Sequence, residues 1–154
     1  MVPRDPIRSD VRGVNDIDAG GQLERIANSD DFVTASSELV DTWASSGVGL
    51  DVVDPVLGFI ERHPALDFGS PGPLVHFVER FYGRGYEDKL LESVARKPTP
   101  LTAWMLNRLI NGAKSEPAKD SLLGAMRRIA SDPMADAETR DAAQHFVSRA
   151  TNPT

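Results

Sequence analysis

Apolar residues recur along this chain three and four positions apart, the spacing of helices that bury one side. A short helix is predicted around Gln22–Asn28. A second is predicted from about Thr34 to Ser45, where Leu39, Val40 and Trp43 form the apolar stripe and Ser46, Gly47 and Gly49 mark the end. Beyond Leu50 the pattern resolves into three helix pairs. The first opens at Asp51 or Asp54 as cap, with Pro55 in the first turn, and runs to Arg62 before Pro64 stops it. After a loop rich in Pro and Gly, its partner is predicted from Pro73 to Tyr82, ending at Gly83 and Gly85. The second pair runs from near Tyr86 to just before Pro98, then from Thr99, an N-cap followed by Pro100, to Gly112. The third opens at Ser115 with Pro117 in the first turn and stops near Asp132 and Pro133. A final helix from about Ala137 to Ala150 completes it, with Ala142, Phe146 and Val147 expected to face inward.

No segment offers two β-branched runs around a tight turn, and Asn111-Gly112 reads as a helix terminus. The expected fold class is therefore all-α. Successive pairs suggest stacked antiparallel helical hairpins in the manner of HEAT or armadillo repeats; a compact helical bundle satisfies the same pattern. Met1–Gly21 mixes prolines and glycines with charge and has no hydrophobic period, so it is expected to be a flexible arm preceding one domain over 22–154.

Composition narrows the class. At 154 residues and 40% hydrophobic, the chain is long and apolar enough to close one core unaided. It holds no cysteine, which removes disulfides, thiolate metal sites and cysteine nucleophiles together. No stretch matches a signal peptide or a bilayer span, so a cytoplasmic location is expected. A net charge of -6 opposes direct binding to nucleic acid or anionic lipid and favours a basic protein partner.

The chemistry-bearing residues do not assemble into known motifs. His63, His76 and His145 are scattered, without metal-ligand spacing. Asp67-Phe68-Gly69 matches the metal-binding tripeptide of protein kinases in letters only; here it introduces a turn shaped by Gly69, Pro71 and Gly72, with Asp67 free to cap or to meet a partner. No nucleophile elbow, phosphate loop or dinucleotide fingerprint occurs, and Glu61, Glu79 and Glu87 read as solvated carboxylates. The chain is therefore expected to have no catalytic residue, no cofactor, no metal and no small-molecule substrate.

One helix face stands apart. Between Thr99 and Asn111, at about 100° per residue, Leu101, Met105, Leu106, Leu109 and Ile110 fall on one half of the cylinder, while Trp104, Asn107, Arg108 and Asn111 gather on the other. An aromatic, a guanidinium and two amides resemble the centre of a protein interface more than a solvated surface. Packing of Trp104 against a neighbouring helix would be the plainer explanation. His76, Glu79 and Arg80 lie opposite the apolar stripe of the preceding pair's second helix, and stacking would set this ridge beside the first. The candidate partner-binding residues are thus Asp67, His76, Glu79, Arg80, Trp104, Asn107, Arg108 and Asn111.

The strings DFGSPGPLVHFVE and RKPTPLTAWMLNRLIN, within Val53–Asn111, resemble helical immunity proteins of bacterial toxin-immunity systems, including contact-dependent growth inhibition. That resemblance implies a protein that binds the toxic C-terminal domain of a cognate effector, commonly a nuclease, and blocks it without catalysis. An acidic inhibitor facing a basic nuclease gains association rate from complementary fields, with Glu38, Asp41, Asp51 and Asp54 as contributors. The other reading is a HEAT-like scaffold or adaptor in a bacterial complex.

Overall fold

A computed structural model describes residues 18–152, and these fold into eight α-helices joined by short loops. They are α1 (Ala19–Ile26), α2 (Phe32–Ser46), α3 (Val53–Arg62), α4 (Pro73–Glu79), α5 (Tyr86–Arg96), α6 (Pro100–Asn111), α7 (Glu116–Ala130) and α8 (Ala137–Thr151). The class is all-α, and no strand occurs among the described residues.

Most helix starts are chemically marked. Asp18, Asp31, Ser115 and Asp136 each accept a backbone N–H from the first turn of the helix they precede, which satisfies a donor that the helix cannot. Thr99 and Thr102 form a reciprocal capping box at the head of α6, with bonds of 3.1 and 3.0 Å, both threonines buried. The α3 start departs from the sequence reading. A 3₁₀ turn, Leu50–Val52, leads into it, no side chain caps it, and Asp54 instead accepts from Lys89 of α5 at 2.8 Å. The arm is also shorter than expected: Asp18 caps α1 and Ala19–Gly21 are its first turn. The rest of that arm, 1–17, lies outside the described residues.

Contacts between helices follow an ordered ladder. Adjacent helices pair as α1 with α2, α3 with α4, α5 with α6 and α7 with α8. Across pairs, α1 meets α3, α3 meets α5, α5 meets α7, α2 meets α4 and α6 meets α8, with α6 also against α7. The first helices of four hairpins therefore follow one another, a pattern that a hairpin stack and a helical bundle share; the hairpins are one more than the three that the sequence pattern beyond Leu50 predicts, because α1 and α2 form one of their own. Trp43, 1% exposed, ties that hairpin in: its Nε1 donates to Gln22 of α1 at 2.7 Å and its ring lies 5.6 Å from Phe77 of α4.

Ion pairs join the first helices of the first three hairpins. Arg62 and His63 at the end of α3 reach Glu24 of α1, both at 2.9 Å. Glu61 of α3 accepts from Ser93 and Arg96 of α5 at 2.6 to 3.0 Å. Glu61 is 8% exposed, so it is not the solvated carboxylate the sequence suggests; its three hydrogen bonds offset the desolvation of its charge. The α3–α4 loop is held from inside. Phe68 is buried edge-on against Phe32 and Phe59, and Gly72 sits at φ 99°, where a Cβ would strike the Phe68 carbonyl. Further along, α4 ends three residues earlier than predicted, at Glu79, and a run of turns continues to Gly85. In α8 the fully buried residues are Thr139 and Ala143; Ala142, Phe146 and Val147, expected inside, are half-buried because this last helix packs mainly on α6 and α7.

Several carboxyls tie stability to pH. Hydrogen bonds from Thr34 hold Asp31 below the usual range, the Thr139 backbone N–H does so for Asp136, and Arg62 and then His63 do so for Glu24. A depressed folded-state pKa contributes stability that is complete above the unfolded value and disappears as pH falls through the folded one. Melting temperature is therefore expected to stay level from neutrality to about pH 5 and to drop below about pH 4. Asp31→Asn with Asp136→Asn should flatten that drop in thermal melts taken from pH 7 to 3.

Candidate protein-docking ridge

The capping box at Thr99 sets the rotation of α6, and burial of Ala103, Met105, Leu106, Leu109 and Ile110 fixes which side faces the core. What remains outward is the mixed face. Arg108 and Asn111 are exposed, and Trp104 and Asn107 are half-buried. Trp104 also rests against the core, so its indole serves both packing and surface, in place of the fully outward side chain that the helical pattern implies.

The α4 ridge reaches this face through one ion pair. Arg108 donates from Nε to Glu79 Oε2 at 2.7 Å and from Nη2 to Oε1 at 3.0 Å, a bidentate fork. The same guanidinium lies 5.1 Å from the centre of the Trp104 ring. His76 stands at the far end, its Nδ1 3.9 Å from Glu79 Oε1. His76, Glu79, Arg108 and Trp104 thus form one continuous line of side chains across two hairpins. With the Arg108 side chain 47% exposed, solvent screens this pair, and it adds at most about 1 kcal/mol to folding. Its structural consequence is orientation: a cation held in place over an aromatic face at the surface.

Two hollows flank the ridge. One, of about 540 Å³, lies where the chain leaves α4 and α6 ends, lined by Glu79, Tyr82, Tyr86, Arg108, Asn111 and Gly112 among others. The second, also about 540 Å³, separates α6 from α8 and is lined by Asn107, Asn111, His145, Phe146, Arg149 and Asn152. Asn111 borders both. A smaller, more apolar hollow between Tyr82, Leu109, Ala113 and Leu122 continues from the first.

Of the eight residues singled out in the sequence, His76, Glu79, Trp104, Asn107, Arg108 and Asn111 share this surface. Asp67 and Arg80 do not join the line. Asp67 closes a turn by accepting from the Gly69 N–H at 2.9 Å, and the Arg80 guanidinium lies over the Phe77 ring at 5.1 Å. Sequence reasoning missed Tyr82, Tyr86, His145 and Arg149. The two tyrosines, four apart around a Gly-Arg-Gly turn, were a usable signal; the α8 residues reach α6 only through the stacking of the last hairpin.

Tyr86 is 1% exposed, and its hydroxyl has no hydrogen-bond partner among the described residues. Burial, and then the nearby Glu79 charge, push its phenol well above the usual range, so it stays protonated. Among the described residues no group of three or more His, Asp or Glu could hold a metal ion. No helix there is long and apolar enough to cross a membrane.

Compared with family models, curated proteins and solved structures, the chain matches none.

Proposed function

We propose that this protein is a cytoplasmic bacterial immunity protein that binds the toxic C-terminal domain of a cognate effector, a basic nuclease, and neutralises it by direct contact. It works without a catalytic residue, cofactor or small-molecule substrate, and without touching nucleic acid itself. The observation that carries this reading is the Trp104–Arg108–Glu79 line, an aromatic and a guanidinium held ready at a surface and bordered by Asn107 and Asn111. Residues of these types, fixed before binding, lose little conformational freedom when a partner docks, which is the property of interface anchors. Charge supports the nature of the partner. Glu38, Asp41 and Asp51 are exposed and add to a net charge of -6, a field that steers a basic protein in.

The hairpin ladder favours a second reading, a HEAT-like scaffold or adaptor, because stacked hairpins present extended surfaces. Co-expression separates the two. If the toxin domain encoded beside this gene is induced together with this chain, cells are expected to grow; a scaffold leaves them dying as fast as with the toxin alone, and that outcome sinks the immunity reading.

A further inference from the structure

We infer that the hollow between the end of α4 and the end of α6 is an anchor pocket for an arginine side chain of the bound protein. The inference rests on the docking reading above and names the chemistry of its central contact.

The Tyr86 hydroxyl makes the hollow more than a surface dent. A buried hydroxyl without a partner destabilises the free protein, and phenylalanine would fill the same space without that cost. A guest able to hydrogen-bond this oxygen relieves the defect only in the complex. Tyr82 shares the lining with Tyr86; this ring is 44% exposed, and its hydroxyl lies 3.5 Å from the Gly112 carbonyl.

The walls select the sign of the guest. Glu79 and Arg108 neutralise each other, but each Glu79 oxygen keeps a further acceptor site after the bidentate bond. Gly112 and Asn111 form the C-terminal end of α6, the negative pole of that helix. Two phenol rings complete the lining, one of them free to stack on a flat cation. Arg108 keeps N–H donors and Asn111 its amide donors, so the preference for a cation rests on the helix pole and the spare Glu79 lone pairs. The charged groups facing the hollow are Glu79 and Arg108; Glu87, which lines the adjoining hollow with Tyr82, already accepts from the Gly83 N–H at 2.8 Å. A guanidinium fits this set better than an ammonium. It offers several donors in one plane to a lining that holds the Glu79 carboxylate, the helix-end carbonyl and the Tyr86 oxygen, and a flat face to stack on Tyr82.

The test uses the whole chain and a small probe, with tyrosine ring resonances followed by NMR. Titration with N-acetyl-arginine methylamide is expected to shift Tyr82 and Tyr86 saturably. The lysine analogue should bind about tenfold more weakly and the glutamate analogue not at all. Tyr86→Phe should melt at or above the temperature of the parent yet lose about tenfold in affinity for the arginine probe. Saturation by the glutamate analogue, non-saturating shifts with arginine, or unchanged affinity in Tyr86→Phe each overturns the inference. Protection from the toxin without arginine binding overturns it too, leaving the docking reading intact. Saturable arginine binding without protection overturns the docking reading and leaves the pocket as a guanidinium site.

Discussion

Replacing Trp104 and Arg108 together by alanine is expected to weaken binding of the toxin domain by about 4 kcal/mol, roughly a thousandfold in Kd. The two side chains touch, so their effects are coupled and the double variant will not equal the sum of the singles. Folding responds differently to each change. Arg108→Ala removes a solvent-screened ion pair and should leave the melt almost unmoved. Trp104→Ala removes an indole that half rests on the core and should cost about 1–2 kcal/mol of stability. Calorimetric titration of Arg108→Ala alone is therefore the cleaner comparison: at least a tenfold loss of affinity with an unchanged melting temperature supports the ridge. A variant that binds like the parent removes Arg108 from the interface.

The largest effect on folding is expected at the other end of the ladder. Trp43→Ala deletes a fully buried indole, leaves Gln22 without its partner and opens a cavity beside Phe77, for a cost of about 3–5 kcal/mol. Against a total stability of roughly 5–15 kcal/mol this is a severe loss. The chain has only two tryptophans, so in this variant Trp104 becomes the sole indole reporter, placed on α6 far along the sequence from the lesion. If the α1–α2 hairpin belongs to the same stack, fluorescence and helicity should fall in one transition at a lower temperature. Two separate transitions, with Trp104 insensitive to the first, would mean that the first hairpin is an appendage.

Much of this architecture was legible because helix boundaries are written in local chemistry. Thr99-Pro100, Ser115 and Gly112 mark where backbone groups need or lose partners, and the structure uses each of them at that place. The misses have physical causes as well. Gly20 and Gly21 discourage a helix by their own propensity, and the Asp18 carboxylate, accepting from the Gly21 N–H, offsets this together with the burial of Ala19 and Leu23. Asp54 reads as a helix cap and Glu61 as a solvated carboxylate because their partners, Lys89 and Arg96, stand about 35 residues away in sequence and meet them only when the hairpins pack. The candidate surface divides along the same line. The face of α6 follows from helical periodicity, whereas its connection to α4 through Glu79, and the hollow that encloses Tyr86, are products of tertiary packing.

Hydrogen exchange of the complex with the co-expressed toxin domain tests the ridge most directly. Docking there predicts slowed backbone exchange confined to the segments around His76–Tyr86 and Trp104–Gly112, with the exposed side of α5 unchanged. Protection centred on α5 or on the outer side of α2, with Trp104–Gly112 exchanging as in the free protein, would contradict it.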